Sequence, residues 1–224
     1  MSFAVILDIL KNAFFQILIP GIKVTIPLTI LGFSLAFVIA VIVALIQYAD
    51  VPVLKQISRL YIWIIRGTPL LVQLYVVFYG LPSIGVTISA FPCAVVVFGF
   101  NEGAYMAETI RGALESVPKG QLEAGYCVGM NYRQIMASIV MPQALRTAFP
   151  SLSNSFISML KETSMAASIT VVDMFRQAQI INARVYQPLW LYLEVAFIYL
   201  LFCTFLTWVQ SICEKKLNAY GGVK

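Results

Sequence analysis

The sequence predicts an all-α integral membrane protein, and three observations carry that prediction. Of 224 residues, 60% are apolar and only 11% charged, and the mean hydropathy of +0.87 lies far outside the soluble range. Residues 24–49 and 67–101 contain no charged side chain, whereas a bilayer span needs only about 20 apolar residues. Histidine is absent, which removes Ser-His-Asp triads, imidazole metal sites and imidazole proton relays.

Each element follows in order. Residues 3–18 place Phe3, Ile6, Leu10, Phe14 and Ile17 on one helical face and Asp8, Lys11, Asn12 and Gln16 on the other, and Pro20-Gly21 reads as a helix break. This predicts an interfacial amphipathic helix over residues 1–20 in place of a cleaved signal peptide. The first span lies within 24–49. The run 67–101 is too long for one helix, and "GLPSIG" at 80–85 carries Gly and Pro turn signals, so two spans are expected there, joined by a tight hairpin. The second span starts near Leu54. A fourth span, over 149–172, is interrupted by Lys161-Glu162, and a fifth, over 187–213, only by Glu194. The whole chain, 1–224, reads as one domain of five transmembrane helices.

Lys and Arg set the orientation, because cytoplasmic loops retain positive charge during insertion. With the C-terminus inside, Lys55, Arg59, Arg111, Lys119, Arg133, Arg146, Lys215, Lys216 and Lys224 are cytoplasmic, against Lys11, Lys23, Lys161, Arg176 and Arg184 outside. The balance favours N-out, C-in. Topology thereby accounts for the net charge of +5, with no need of nucleic acid. Cys93, Cys127, Cys203 and Cys213 show no CxxC spacing and read as packing residues. No GxxxxGK[ST] occurs, so the chain has no P-loop of its own. A membrane domain without a catalytic constellation points to transport, not enzymology.

Between the third and fourth spans the cytoplasmic loop 109–147 is far longer than a helical hairpin needs. Ser116 and Pro118 mark a helix start, Gly129 a C-cap, and Asn131 the cap of a second helix running from Tyr132 towards Pro142. Two short helices lying across the cytoplasmic surface are expected. Small Ala124 and Gly125 would admit another surface.

This segment resembles the EAA motif of binding-protein-dependent ABC importer permeases: EAA, three residues, Gly, nine residues, Ile, any residue, Leu, Pro. Here it reads Glu123-Ala124-Gly125, Gly129, Ile139 and Met141-Pro142 at the same spacing, with Gly125 and Met141 as departures. "RGTPLLVQL" at 66–74, "AYMAETIRGAL" at 104–114 and "LSNSFISMLKETSMAASITVVDMFRQAQ" at 152–179 resemble the polar amino-acid uptake branch, cystine-type members most. The resemblance implies a type I importer fold in a bacterial cytoplasmic membrane. It also implies Glu123, Ala124, Gly125, Gly129 and Pro142 at the coupling surface, and as partners two ATP-binding subunits, a second permease chain, identical or related, and an extracytoplasmic amino-acid-binding protein. ATP would be held by the partner, and no cofactor by this chain. L-Cystine is the implied cargo, with glutamine, histidine or a basic amino acid as alternatives. An ion-driven transporter is the rival class, which would need no docking loop.

Substrate must cross lipid without exposing charge, so polar side chains should converge at mid-depth. Asn101, Tyr105 and Glu108 recur at helical spacing, with Gly99 and Gly103 forming GxxxG, a close-packing signature. Ser151, Ser155, Ser158 and Glu162 form one stripe, and Asn154, Ser158 and Lys161 another. These stripes either line a path or bond helix to helix. Arg66 lies about 18 Å along its helix, beyond easy snorkelling, and needs either a substrate carboxylate or Glu102 or Glu108 as partner; the ion pair is the favoured expectation. Pro69 should bend the helix nearby, and Glu108, Arg111 and Glu115 should form an ion-pair ladder. The path is assigned to Arg66, Gln73, Asn101, Glu102, Asn154, Ser158 and Glu162.

Overall fold

The structure is a computed structural model that describes residues 3–49 and 51–219. Residues 1–2 of the expected N-terminal helix and Lys224 of the charge count lie outside the described residues. The described chain is helical throughout: α1 (Phe3–Pro20), α2 (Ile26–Tyr48), α3 (Pro52–Arg66), α4 (Leu70–Tyr75), α5 (Ala90–Glu115), α6 (Lys119–Cys127), α7 (Tyr132–Ile135), α8 (Met141–Glu162), α9 (Met174–Val185) and α10 (Pro188–Ala219).

Three helical runs among the described residues are long and apolar enough to cross a membrane: Ala4–Tyr48, Ala90–Glu115 and Pro188–Leu217. The pair Pro52–Arg66 and Leu70–Ile84, bent by 100°, makes a fourth if counted as one span. The bend falls at Gly67–Pro69, where the proline was expected to produce it. The region expected to form the fourth span is the C-terminal half of α8 followed by a 3-10 segment, Thr163–Ile169. Arg146, Lys161 and Glu162 make α8 more polar than the other long helices.

Pro20-Gly21 does not end the first helix. α1 passes through a single π-helical turn, Gly21–Thr25, into α2. Two further π turns occur, at Val76–Gly80 and Met136–Val140. Each of the three ends two residues before a proline: Pro27, Pro82 and Pro142. In an α turn the proline ring would strike the carbonyl four residues back. The wider turn removes that clash, and the residue before each proline bonds five residues back: Ile26 N–H to the Gly21 oxygen, Leu81 to Val76, Met141 to Met136. A proline that reads as a terminator in sequence is thus carried inside a continuous helix.

Two cores organise the bundle. Ala13 and Ile17 of α1 pack with Met174 and Ala178 of α9 and Leu191, Val195 and Ile198 of α10. The face of α1 expected to lie on lipid is therefore buried in part against protein. Asp173 caps α9, accepting the Arg176 N–H at 2.8 Å and the Tyr199 hydroxyl at 3.3 Å, while burial pushes its carboxyl up to about 6. The larger core joins α2 (Leu28, Ala36, Ala40), α5 (Phe98, Met106, Ile110) and α8 (Ala144, Leu152, Met159).

The pairing of α2 with α5 is the most extensive in the molecule, and the GxxxG motif produces it. A methyl group on Gly99 would come within 2.6 Å of Leu35, and one on Gly103 within 3.1 Å of Ile39. α3 is tied to the same helix where the Tyr61 hydroxyl donates to the Phe100 carbonyl at 2.6 Å. Overpacking of this kind costs about 1–3 kcal/mol. Gly99→Ile should therefore lower the melting temperature of the purified protein by several degrees, whereas Gly112→Ala, on the same helix with open space around it, should hold or raise it, since alanine is the better helix former.

Candidate functional site

The bend after α3 creates the site. α3 stops at Arg66, Pro69 is extended, and α4 restarts at Leu70. Such a break frees backbone carbonyls that lipid cannot satisfy. Gln73 answers them from one turn into α4: its Nε2 donates to the Ile65 carbonyl at 2.8 Å and the Thr68 carbonyl at 3.2 Å. Its Oε1 in turn accepts from Asn101 Nδ2 of α5 at 3.0 Å. Gln73, assigned to the path from sequence, is the brace behind its wall.

Arg66, Asn101, Glu102, Asn154, Ser158 and Glu162 all line one cavity of about 780 Å³ between the bend, α5 and α8, together with Tyr105, Glu108, Ser151 and Ser155. Six of the seven residues assigned from sequence thus converge. Glu102 is 8% exposed, and Ser155 and Glu162 of α8 line the same wall. Asn154 also reaches α10, where Gln210 Nε2 donates to its Oδ1 at 3.3 Å, so this residue both lines the wall and bonds helix to helix. Gln210 escaped the sequence reading, although a lone amide in an apolar span is a visible signal.

The expected ion pair of Arg66 with Glu102 or Glu108 is not formed. Among the described residues no carboxylate lies within 4 Å of Arg66; its guanidinium instead stands over the Tyr105 ring, 5.0 Å from the centroid. Glu108 is taken by Arg111 at 2.9 Å and by Gln47 of α2 at 3.2 Å, and Arg111 reaches Glu115 at 2.7 Å. That is the expected ladder. A second cleft of about 720 Å³ runs along it, past Lys55 and Arg59, and shares Arg66, Tyr105 and Glu108 with the first. The two clefts adjoin at these shared residues, with Arg66 on both walls and Glu102 and Glu162 on the wall of the first.

The loop beyond α5 is built as its residues dictate. α5 extends to Glu115, so the loop proper is shorter than 109–147, and the Ser116 hydroxyl bonds back to the Ala113 carbonyl at 2.7 Å instead of capping α6. α6 ends on Gly129 at φ +81, with Met130 N–H on the Gly125 oxygen and Gly129 N–H on the Tyr126 oxygen, both at 3.0 Å. This is a Schellman end, and only glycine takes the left-handed position without strain. Asn131 and Gln134 cap each other reciprocally, at 3.0 and 2.9 Å. The helix from Tyr132 does not stop at Pro142; it continues through the π turn into α8. One short helix, not two, therefore crosses this surface.

On α6, Glu123 and Ala124 are exposed, and so are Tyr126, Val128 (76%) and Gly129. Gly125 faces inward, where a methyl group would lie 2.7 Å from Ile135. Its departure from the EAA pattern serves packing within the chain, contrary to the expectation that it faces a partner. Pro142 is exposed at the start of α8.

The sequence profile of the binding-protein-dependent transport system inner membrane component family matches residues 36–219. The chain belongs to this family. It is similar to the L-cystine transport system permease protein TcyB of Bacillus subtilis (strain 168), at 46% identity over 95% of this chain and 92% of that protein. It is also similar to the putative glutamine transport system permease protein GlnP of Rickettsia typhi (strain ATCC VR-144 / Wilmington), at 33% identity over 89% and 92%. A crystal structure of an amino acid ABC transporter with histidines contains a chain that superposes with a TM-score of 0.84, at 33% identity over 96% of this chain and 99% of that one. The helical architecture is thus that of the family's inner-membrane components.

The geometry of α6 can be tested directly. Gly125→Val should drive Ile135 out of place and speed amide exchange over residues 119–130 by about tenfold, the effect of losing roughly 1.4 kcal/mol of local stability. Ala124→Val, on the exposed face, should speed exchange only about two- to threefold, the cost of valine's lower helix propensity alone.

Proposed function

We propose that this chain is the membrane subunit of an ATP-driven importer that carries a polar amino acid, L-cystine first, into the cytoplasm by alternating access. One observation carries the proposal: an open cleft of the bundle has on its wall the Arg66 guanidinium, which forms no ion pair among the described residues, and two carboxylates, Glu102 and Glu162. A zwitterion loses several kcal/mol of hydration on entering a membrane unless fixed charges and dipoles replace that water. This wall supplies both signs. Its volume, about 780 Å³, lies within the range of small-molecule sites, about 300–1,000 Å³.

The likeness to a permease named for L-cystine supports that cargo, and the relative named for glutamine keeps glutamine as the second reading. In this reading α2, the bent pair α3–α4, α5, α8 and α10 are the five spans, with the N-terminus outside and the C-terminus inside a bacterial cytoplasmic membrane. The exposed residues Glu123, Ala124 and Gly129 and the apolar Tyr126 and Val128 dock a partner ATPase, which holds the ATP. Two permease chains, two ATPase subunits and an extracytoplasmic binding protein complete the assembly. The ladder-lined cleft then leads substrate from Arg66 towards the side where α6 lies.

Purified complex in liposomes, supplied with binding protein, should accumulate labelled L-cystine only with ATP on the ATPase side. Uptake indifferent to ATP would overturn the proposal, and ATP-dependent uptake of glutamine alone would shift it to the second reading. Glu162 forms no ion pair among the described residues, so its loss should not unlock the fold. Glu162→Gln is accordingly expected to leave the melting temperature within about a degree of wild type, as for a surface-like change, while substrate-stimulated ATP hydrolysis falls at least about tenfold. A lowered melting temperature with full stimulation would remove Glu162 from the path.

A further inference from the structure

Gln73 stands where the broken backbone meets the cavity. Around its Nε2 lie the Ile65 carbonyl and Thr68 Oγ1, each at 2.8 Å, and the Thr68 carbonyl at 3.2 Å. The Thr68 hydroxyl already donates to the Ile64 carbonyl at 2.9 Å, so towards Gln73 it can only accept. Three acceptors around one atom settle which end of the amide it is, because the reverse placement would set Oε1 against three oxygens. Oε1 therefore meets Asn101. An amide oxygen cannot donate, so Asn101 must turn Nδ2 to it, as it does at 3.0 Å. Nδ2 keeps a second hydrogen, but the end of the amide turned away from Gln73 is Oδ1, an acceptor, and Asn101 lines the cavity together with Glu102.

We infer that Gln73 is a positioning residue that fixes Asn101 as an acceptor towards the cavity, so that a bound amino acid sets its ammonium group against Asn101 and Glu102 and its carboxylate against Arg66. The inference rests on the amino-acid reading proposed above and adds the polarity with which the substrate sits. Spacing along α5 agrees with it. Arg66 stands over Tyr105, four residues and about 6 Å beyond Asn101 along the helix axis. That offset suits the two charged groups of an α-amino acid, each reached through one hydrogen bond. The chain of causes starts at Pro69: a proline that breaks the backbone orients one amide, and that amide orients the next.

The test uses the purified permease–ATPase complex without binding protein, titrated with L-cystine, with N,N′-diacetyl-L-cystine, which lacks the ammonium charges, and with the bis-amide of L-cystine, which lacks the carboxylates. Gln73→Leu releases Asn101 to present either end. The preference for L-cystine over the diacetyl compound should fall about tenfold, the loss of one hydrogen bond to a charged group, while the preference over the bis-amide holds within about twofold. Gln73→Glu keeps an oxygen facing Asn101 in either protonation state. It should retain both preferences, although its melting temperature falls because the carbonyls of Ile65 and Thr68 lose their donor. Unchanged preferences in an assembled Gln73→Leu complex mean a brace with no say in recognition, and overturn the inference while leaving the amino-acid reading intact. Where Gln73→Leu does not assemble, Gln73→Glu decides, since loss of the ammonium preference in that variant overturns the inference. A wild-type complex that binds none of the three compounds overturns the amino-acid reading, and this inference with it.

Discussion

A backbone broken within hydrocarbon must find its hydrogen bonds inside the protein, and most of what is particular to this chain follows from meeting that demand at Gly67–Pro69. The bend turns the end of α3 inward, so Arg66 faces α5 instead of running on towards lipid. It exposes carbonyls that a single glutamine collects. It opens the space that α5 and α8 wall off with their polar faces. The bend and the cavity are one solution to one problem.

Rigidity elsewhere makes that solution usable. The glycine-mediated approach of α2 and α5 holds one wall of the cavity with little freedom to drift, and the Tyr61–Phe100 hydrogen bond fastens α3 to the same wall. On the opposite side, Asn154 is steadied from α10. Arg111 holds Glu108 away from Arg66, and this keeps the guanidinium available: a tight Arg66–Glu108 pair would cancel both charges where the two clefts meet. An aromatic ring under Arg66 stabilises the cation without cancelling it.

Much of this was legible in the sequence because it rests on short-range rules. The hairpin at "GLPSIG", the cap at Asn131, the glycine end of α6, the Glu108–Arg111–Glu115 ladder and the GxxxG seam are all set by residues within a turn or two of each other. Six of the residues assigned to the path share one cavity wall because a charge or an amide in an apolar run must turn away from lipid, towards a polar interior surface. The failures share a different origin. Pro20 and Pro142 read as terminators, yet helices pass through both regions, since the widened turns before Pro27 and Pro142 depend on packing that a local rule does not see. Gln73 was placed in the path because its partners, Ile65, Thr68 and Asn101, become neighbours only once the chain has bent. Gly125 was given to a partner surface because nothing local reveals Ile135 folding back on it. The missing Arg66 ion pair is a matter of competition: Arg111 lies on the same helix as Glu108, three residues away, and claims it first.

The π turn at Met136–Val140 sets an angle as well as accommodating a proline. A π turn advances each residue around the axis by less than the roughly 100° of an α-helix, so over its length α8 lags by about a quarter turn behind the position an unbroken α-helix would give it. Asn131 and Tyr132 fix the helix at one end, and Ser151, Asn154, Ser158 and Glu162 point from the other. The rotational phase between them is stored in five residues. α6 and the cavity wall are thus geared through a single shaft, and any change that tightened the shaft's one loose turn would swing the polar stripe away from the cavity without altering a residue of the stripe.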